Sequence, residues 1–167
     1  MIRAAALLAL MAAPVLAQEA DPAQQMLEGF SICMMSAKET AVSYVDIYKW
    51  TKSAAEDGIE IAMPGVGSDT FVLLSQDKSF CHVESLVLGT DKTLETFKSA
   101  IELGGMFTLP EPQTSPDGCA LYDFGDGMTA TLTSGGNDPT CTSQTDSALR
   151  FSKLPGVCLF SNSHTRT

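Results

Sequence analysis

Residues 71–85 read FVLLSQDKSFCHVES, two apolar runs on either side of a polar turn. With Asp77-Lys78 as the turn, Leu74 lies opposite Cys81 in an antiparallel hairpin. Successive strand residues point to opposite faces of a sheet. One face of the hairpin is then apolar and carries Val72, Leu74, Cys81, Val83 and Val87. The other face is mixed and only partly exposed, and it carries Phe71, Leu73, Phe80, His82 and Glu84.

A related pattern follows in residues 131–143, TLTSGGNDPTCTS, where Cys141 takes the place of Cys81. Each stretch is followed by a Thr-Asp pair that can open a helix, Thr90-Asp91 in one case and Thr145-Asp146 in the other. The pattern predicts two strand–turn–strand units, each carrying a cysteine.

Upstream of the hairpin the sequence favours helices. Asp21-Pro22 is typical of a helix start, and a buried stripe at helical spacing follows: Met26, Leu27, Phe30, Cys33, Met34 and Ala37. The capping-box pattern from Ser36 to Glu39 predicts a second helix that runs through Trp50 and stops at Gly58. We expect these two helices to form a hairpin packed on a sheet.

Downstream elements alternate between strand and helix. Residues 59–63 predict a short strand, and Asp91 is expected to cap a third helix that ends at Gly104-Gly105. Residues 108–118 hold three prolines and predict a surface connection. Further strands are expected at 120–124, 128–133 and around Cys141. The fold class is therefore α+β, with the N-terminal helical hairpin and the third helix on one face of a mostly antiparallel sheet built from β-hairpins.

The start of the chain indicates export. Arg3 precedes an uncharged apolar block that ends at Ala17, the pattern of a secretory signal peptide of bacterial type. The block is too short for a stable span of about 20 residues, which argues against the alternative of an uncleaved anchor. We expect a signal peptide over residues 1–17, a single domain over 18–160 and a loose tail over 161–167, with no membrane span after cleavage.

Charge excludes one class of partner. The formal net charge is −10, with acidic residues scattered along the chain. Such a protein is repelled by nucleic acid and by anionic lipid head groups. Nucleic-acid binding is therefore not expected.

Five cysteines in an exported domain indicate disulfides rather than a zinc cluster, because no close ligand pair exists. Cys33–Cys81 is the favoured bridge, since both residues lie on inward faces. Cys119–Cys141 is the second choice, with Cys158 free, and Cys141–Cys158 is its rival. In a regular meander Cys119 and Cys141 would lie ~9.5 Å apart, beyond the ~7 Å that a disulfide tolerates, so Cys119 must precede its strand. Reduced cysteines buried as small apolar side chains are the alternative.

Histidine chemistry depends on His82, because the only other histidine, His164, lies in the tail. Cys81 cannot assist His82, since adjacent strand residues point to opposite faces. His82 and Glu84 share a face and could share a proton, although half-exposed surface is the commoner role of such a pair.

Metal sites have weaker support. Copper could use thioether, thiolate and imidazole ligands from Met34, Met35, Cys33 and His82, but Met34 and Met35 point about 100° apart on a helix. Calcium could use the turn residues Asp123, Asp126, Asn137 and Asp138, which turn chemistry explains without an ion.

Catalytic motifs are absent from the sequence, which favours a non-catalytic function. We expect an exported, periplasmic or secreted binding or interaction domain that needs no cofactor, with another envelope protein as its partner. The first alternative is a small exported hydrolase with a site near His82. The second is a periplasmic metal-handling protein that uses Met34 and His82.

Overall fold

A computed structural model describes residues 21–36, 43–53, 57–105, 108–125, 127–136 and 140–152. The helices are α1 (Pro22–Met35), α2 (Tyr44–Ile47) and α3 (Thr90–Gly104). The strands are β1 (Thr51–Lys52), β2 (Ile59–Met63), β3 (Thr70–Ser75), β4 (Phe80–Ser85), β5 (Gln113–Thr114), β6 (Ala120–Gly125), β7 (Met128–Thr133) and β8 (Ser147–Ser152). They form one antiparallel sheet with helices packed on it, which confirms a mixed α+β fold.

The order of the strands is symmetric, β1-β2-β3-β4-β8-β7-β6-β5. Helix α1 precedes the first four strands and α3 precedes the last four, so each half of the chain contributes a helix and a four-stranded meander. The last strands of the two halves, β4 and β8, pair antiparallel at the centre, with Val83 opposite Leu149. The unit that occurs twice along the chain is therefore a helix followed by a four-stranded meander.

The second predicted unit is wrong in its details. Cys141 lies in the connection between β7 and β8, and Thr145-Asp146 precedes a strand instead of opening a helix. The strand forms because Leu149 and Phe151, on either side of the exposed Arg150, are fully buried at this period of two. Their side of β8 packs against α3.

The central hairpin has the predicted register, with Val72 opposite Val83 and Leu74 opposite Cys81. At its turn the hydroxyl of Ser75 accepts from Phe80 N and donates to Phe80 O, both at 2.9 Å. The placement of Val87 on the apolar face is wrong. Strand β4 ends at Ser85, and the side chain of Val87 is 48% exposed.

Helix α1 begins as predicted, because the carboxylate of Asp21 accepts from Ala23 N at 3.0 Å and Pro22 is the first helical residue. The helix lies close to the sheet at Gly29, where an added Cβ would be 2.6 Å from Val83 Cγ1. Its buried residues are Met26, Gly29, Phe30, Ile32, Cys33, Met34 and Met35.

The prediction of a continuous second helix to Gly58 is wrong. Helix α2 is a single turn, and Lys49 takes a φ of 60° before β1 begins. Leaving the helix lets Trp50 pack back onto α1, where its Nε1 donates to Glu28 at 2.9 Å. Residues 37–42, which include most of the predicted capping box, lie outside the described residues.

Helix α3 starts at Thr90, one residue before the predicted cap Asp91, with Gly89 at the N-cap position. An added Cβ at Gly89 would lie 2.6 Å from the backbone oxygen of Gln144, so a side chain there would collide with the β7–β8 connection. Both N and Oγ1 of Thr90 donate to Ser143 O, at 2.9 and 3.0 Å. These contacts fix the start of the helix, and Gly105 ends it with a φ of 58°.

Aromatic side chains join the two halves of the core. Phe97 of α3 meets Phe30 of α1 edge to face, with ring centroids 5.5 Å apart. The same ring contacts Tyr122 of β6 at 5.6 Å and Phe151 of β8 at 6.0 Å. Phe97 of α3 therefore packs against both α1 and the second half of the sheet.

The proline-rich segment 108–118 contains the short edge strand β5, which the sequence analysis does not predict. The predicted signal peptide 1–17, the tail 161–167 and Cys158 lie outside the described residues. Among the helices that are described, none combines the length and apolar character needed to cross a bilayer.

Candidate functional site

The two faces of the sheet differ. Cys81 bonds to Cys33 of α1, so its side chain points toward the helices, and the neighbouring His82 points away from them. We call the face that carries His82 the outer face. No described helix packs against it, and it holds a cavity of about 300 Å³ lined by Ile59, Leu73, Phe80, His82, Glu84, Gly136 and Arg150.

His82 and Glu84 form a buried pair in this cavity. His82 Nε2 lies 2.9 Å from Glu84 Oε2, and each side chain is only 9% exposed. The other oxygen, Glu84 Oε1, accepts from Gly136 N at 2.8 Å. Both carboxylate oxygens therefore have partners. The expectation of half-exposed surface residues is wrong, because the β7–β8 connection folds over this end of the strand.

Arg150 is the residue that the sequence analysis missed. It lies opposite His82 across the two central strands, and its guanidinium carbon is 4.7 Å from the centroid of the Phe80 ring. Among the described residues the ion pairs are Lys52–Glu60, His82–Glu84 and Lys92–Glu95, so no described carboxylate pairs with Arg150. The side chain is exposed at the cavity. Only the pairing of β8 with β4 brings it to His82.

The connection that carries Gly136 is held by polar contacts on both sides of it. Asp146 Oδ2 accepts from Gly135 N at 3.0 Å, and Asp146 Oδ1 accepts from the hydroxyl of Ser143. The Ser143 hydrogen bond, helped by Gly135 N, holds the pKa of Asp146 below its usual value. Ser134 adds a further contact, because its Oγ accepts from Ser143 N at 3.2 Å.

Both predicted cysteine pairs lie at disulfide distance. The Cα atoms of Cys33 and Cys81 are 5.4 Å apart, and those of Cys119 and Cys141 are 5.5 Å apart. Cys119 precedes β6, as the second pair requires, and the rival pairing of Cys141 with Cys158 is wrong. The first pair ties α1 to β4. The second ties the β7–β8 connection to the start of β6.

The structure separates the residues proposed for copper. Met34 lies in the helix layer beside α2 and α3, while His82 lies on the outer face with the sheet between them. Cys33 is bonded to Cys81. The copper site that joins Met34 to His82 is therefore wrong.

The calcium residues are only partly described. Asp123 is exposed and accepts from Gly125 N at 2.9 Å, a turn contact. Asp126, Asn137 and Asp138 lie outside the described residues. Within the part of the chain that is described, no group of three or more His, Cys, Asp or Glu residues could hold a metal ion.

Comparisons of the chain with protein-family models, with curated proteins and with solved structures found no significant match. Function is therefore inferred from the outer-face cavity itself.

Proposed function

We propose that this protein is an exported, non-catalytic binding or interaction domain that recognises its ligand or partner through the outer-face cavity. The observation that carries the proposal is a preformed pocket whose buried polar groups already satisfy one another. Glu84 holds His82 and Gly136, while apolar side chains and Arg150 border the opening. A mostly apolar pocket with a few fixed polar groups is the usual form of a binding site.

Export is supported by two independent features. The first 17 residues have the pattern of a signal peptide, and two cysteine pairs lie at disulfide distance, which suits an oxidising compartment. We propose the periplasm or the medium as the location and another envelope protein as a candidate partner. Expression with the full leader, followed by intact-mass analysis, tests this proposal. A mature chain that begins at Gln18 is expected, and an uncleaved cytosolic chain would contradict export.

Binding is tested by a fragment screen against the 15N-labelled mature protein. Fragments that bind should shift the amide signals of Leu73, Phe80, His82 and Arg150 together. Phe80→Ala should weaken these hits, since Phe80 forms part of the cavity wall. Leu103→Ala is the matched control, because Leu103 is 82% exposed on α3 in the helix layer. Hits that cluster in the helix layer, or no hits at all, would contradict the proposed site.

The His82–Glu84 pair favours a second candidate, a small exported hydrolase. A carboxylate that orients an imidazole is an arrangement that activates a hydroxyl or a water. No serine, threonine or cysteine lines the cavity in the described part of the chain, so water would have to be the nucleophile. Hydrolysis of small esters that is lost in His82→Gln would support this candidate. Equal rates for the two proteins would reject it.

A further inference from the structure

We propose that the outer-face cavity binds a small organic monocarboxylate with an apolar body, and this inference rests on the proposed binding function. Charge is the first reason. The described carboxylate in the cavity, Glu84, has both oxygens engaged, whereas Arg150 has no described carboxylate partner. A ligand carboxylate would therefore supply the partner that Arg150 lacks among the described residues.

The position of Arg150 suits a carboxylate. Its guanidinium carbon lies over the ring of Phe80, 4.7 Å from the ring centroid. A contact with the aromatic face does not require the N–H groups as hydrogen-bond donors, and a guanidinium group can donate two parallel hydrogen bonds to the two oxygens of a carboxylate. Phe80 thus orients Arg150 without using its donors.

Apolar side chains complete the cavity. Ile59 and Leu73 lie beside Phe80 on the outer face, on strands β2 and β3. The volume of about 300 Å³ corresponds to roughly ten waters of ~30 Å³ each, which allows a body of about ten non-hydrogen atoms. A short aliphatic or a single-ring acid fits this limit.

A second carboxylate on the ligand would be unfavourable. Glu84 is buried at one end of the cavity, and the protein as a whole carries a formal charge of −10. A dicarboxylate would place its second charge among apolar walls and close to Glu84, where both desolvation and repulsion oppose binding. The site should therefore select monocarboxylates.

The test compares sodium hexanoate with hexanamide and adipate by titration of the 15N-labelled mature protein. Hexanoate should shift the amides of Leu73, Phe80 and Arg150 and bind roughly tenfold more tightly than hexanamide, the range of a charged hydrogen bond. Adipate should bind more weakly than hexanoate. Added salt should weaken hexanoate binding and leave hexanamide binding almost unchanged.

Substitutions of Arg150 test whether this residue causes the preference for hexanoate over hexanamide. Arg150→Gln should abolish the preference for hexanoate over hexanamide. Lys98→Gln removes the same charge from the exposed surface of α3 and should leave the preference intact. Arg150→Lys keeps the charge without the planar fork and should give an intermediate preference. If Arg150→Gln does not fold, the relative affinities of hexanoate, hexanamide and adipate for the unaltered protein still test whether the cavity prefers a monocarboxylate.

The possible failures are distinct. Equal binding of hexanoate and hexanamide in the cavity would overturn the inference and leave the proposed binding function standing. Fragment hits in the cavity without any hexanoate binding would do the same. Absence of both hexanoate binding and fragment hits would overturn the two proposals together.

Discussion

His82 Nε2 and Glu84 Oε2 lie 2.9 Å apart on one side of β4, and the other Glu84 oxygen accepts from the backbone of Gly136 at 2.8 Å. One buried carboxylate thus links a central strand to the connection that closes one end of the cavity. The two residues are separated by a single position in the sequence, which places them on the same face. The link to Gly136 joins residues 52 positions apart.

Glu84→Ala should destabilise the protein by about 1–3 kcal/mol, because it leaves the buried His82 without its partner and removes the hydrogen bond to the amide of Gly136. Urea unfolding at neutral pH measures the change. Glu60→Ala is the matched control, since Glu60 pairs with Lys52 at the more exposed edge of the sheet. Its loss should be no more than about 1 kcal/mol. Equal effects of the two substitutions would contradict the structural role of Glu84.

Removal of either disulfide should destabilise the protein, with the larger loss for Cys33–Cys81. The two pairs span 48 and 22 residues, and loop-closure entropy then gives about 4 and about 3 kcal/mol. Cys33 and Cys81 are also fully buried, so a Cys33→Ala/Cys81→Ala variant loses core packing as well. Thermal unfolding of the two double variants shows which disulfide contributes more to stability.

A non-reducing peptide map of the mature protein should yield both predicted disulfides. A peptide that contains a Cys141–Cys158 disulfide would contradict the second pair.

The second disulfide should affect the cavity in a way that the first does not. Cys119–Cys141 holds the connection that presents Gly136 to Glu84. In Cys119→Ala/Cys141→Ala, hydrogen exchange at the amide of Gly136 should be accelerated relative to the unaltered protein. This acceleration should be larger than that of the central-strand amides. In Cys33→Ala/Cys81→Ala any acceleration should follow the global loss of stability. Unchanged protection of Gly136 in the first variant would show that the hydrogen bonds of the connection, including those of Asp146 and Ser134, hold it without the disulfide.

Local patterns predict the central hairpin, the start of α1 and the end of α3. The register of the central hairpin follows from alternating residues and a polar turn, so Leu74 does lie opposite Cys81. The end of α3 follows from Gly105. The second helix fails because its end depends on a distant contact, the hydrogen bond between Trp50 and Glu28, which no local pattern contains.

The candidate site is predictable only in part. His82 and Glu84 share a face because of strand alternation, and that much follows from the sequence. Arg150 joins them because β8 pairs with β4, a contact between residues nearly seventy positions apart. Burial of the pair depends on the connection that carries Gly136. Such non-local contacts are fixed by the packing of the whole sheet, and no local spacing predicts them.

Stability in acid should depend on Asp146. The hydroxyl of Ser143, with Gly135 N and Thr145, holds the pKa of Asp146 below its ordinary value of 3.8. A carboxyl whose pKa is lowered on folding stabilises the protein above its unfolded pKa, and this contribution is lost as the pH falls through the folded pKa. The stability difference between the unaltered protein and Asp146→Asn should therefore be present at pH 6 and shrink below about pH 3.8.

Carbon-detected NMR titration of the Asp146 carboxyl group measures the same effect directly. Ser143→Ala removes the largest cause of the shift, so the pKa of Asp146 should rise toward 3.8 in that variant. A pKa that stays the same after Ser143→Ala would contradict the hydrogen bond between these two side chains.

Two glycines in helices should respond in opposite ways to alanine. Alanine is favoured over glycine in a helix by about 1 kcal/mol, but an added Cβ at Gly29 would lie 2.6 Å from Val83 Cγ1 and 3.3 Å from Val72 Cγ2. Helix α1 would have to move away from the sheet, so Gly29→Ala should cost about 1–3 kcal/mol. Gly104→Ala is the control, because an added Cβ there meets nothing within 4 Å.

Gly104→Ala should be neutral or stabilising by up to about 1 kcal/mol. Urea unfolding of both variants gives the two signs. The collision at Gly29 is with the side chain of Val83, so Val83→Ala should cost less in the Gly29→Ala background than in the unaltered protein. Additive effects of the two substitutions, or a stabilised Gly29→Ala, would mean that α1 does not lie against the sheet as closely as Gly29 and Val83 require.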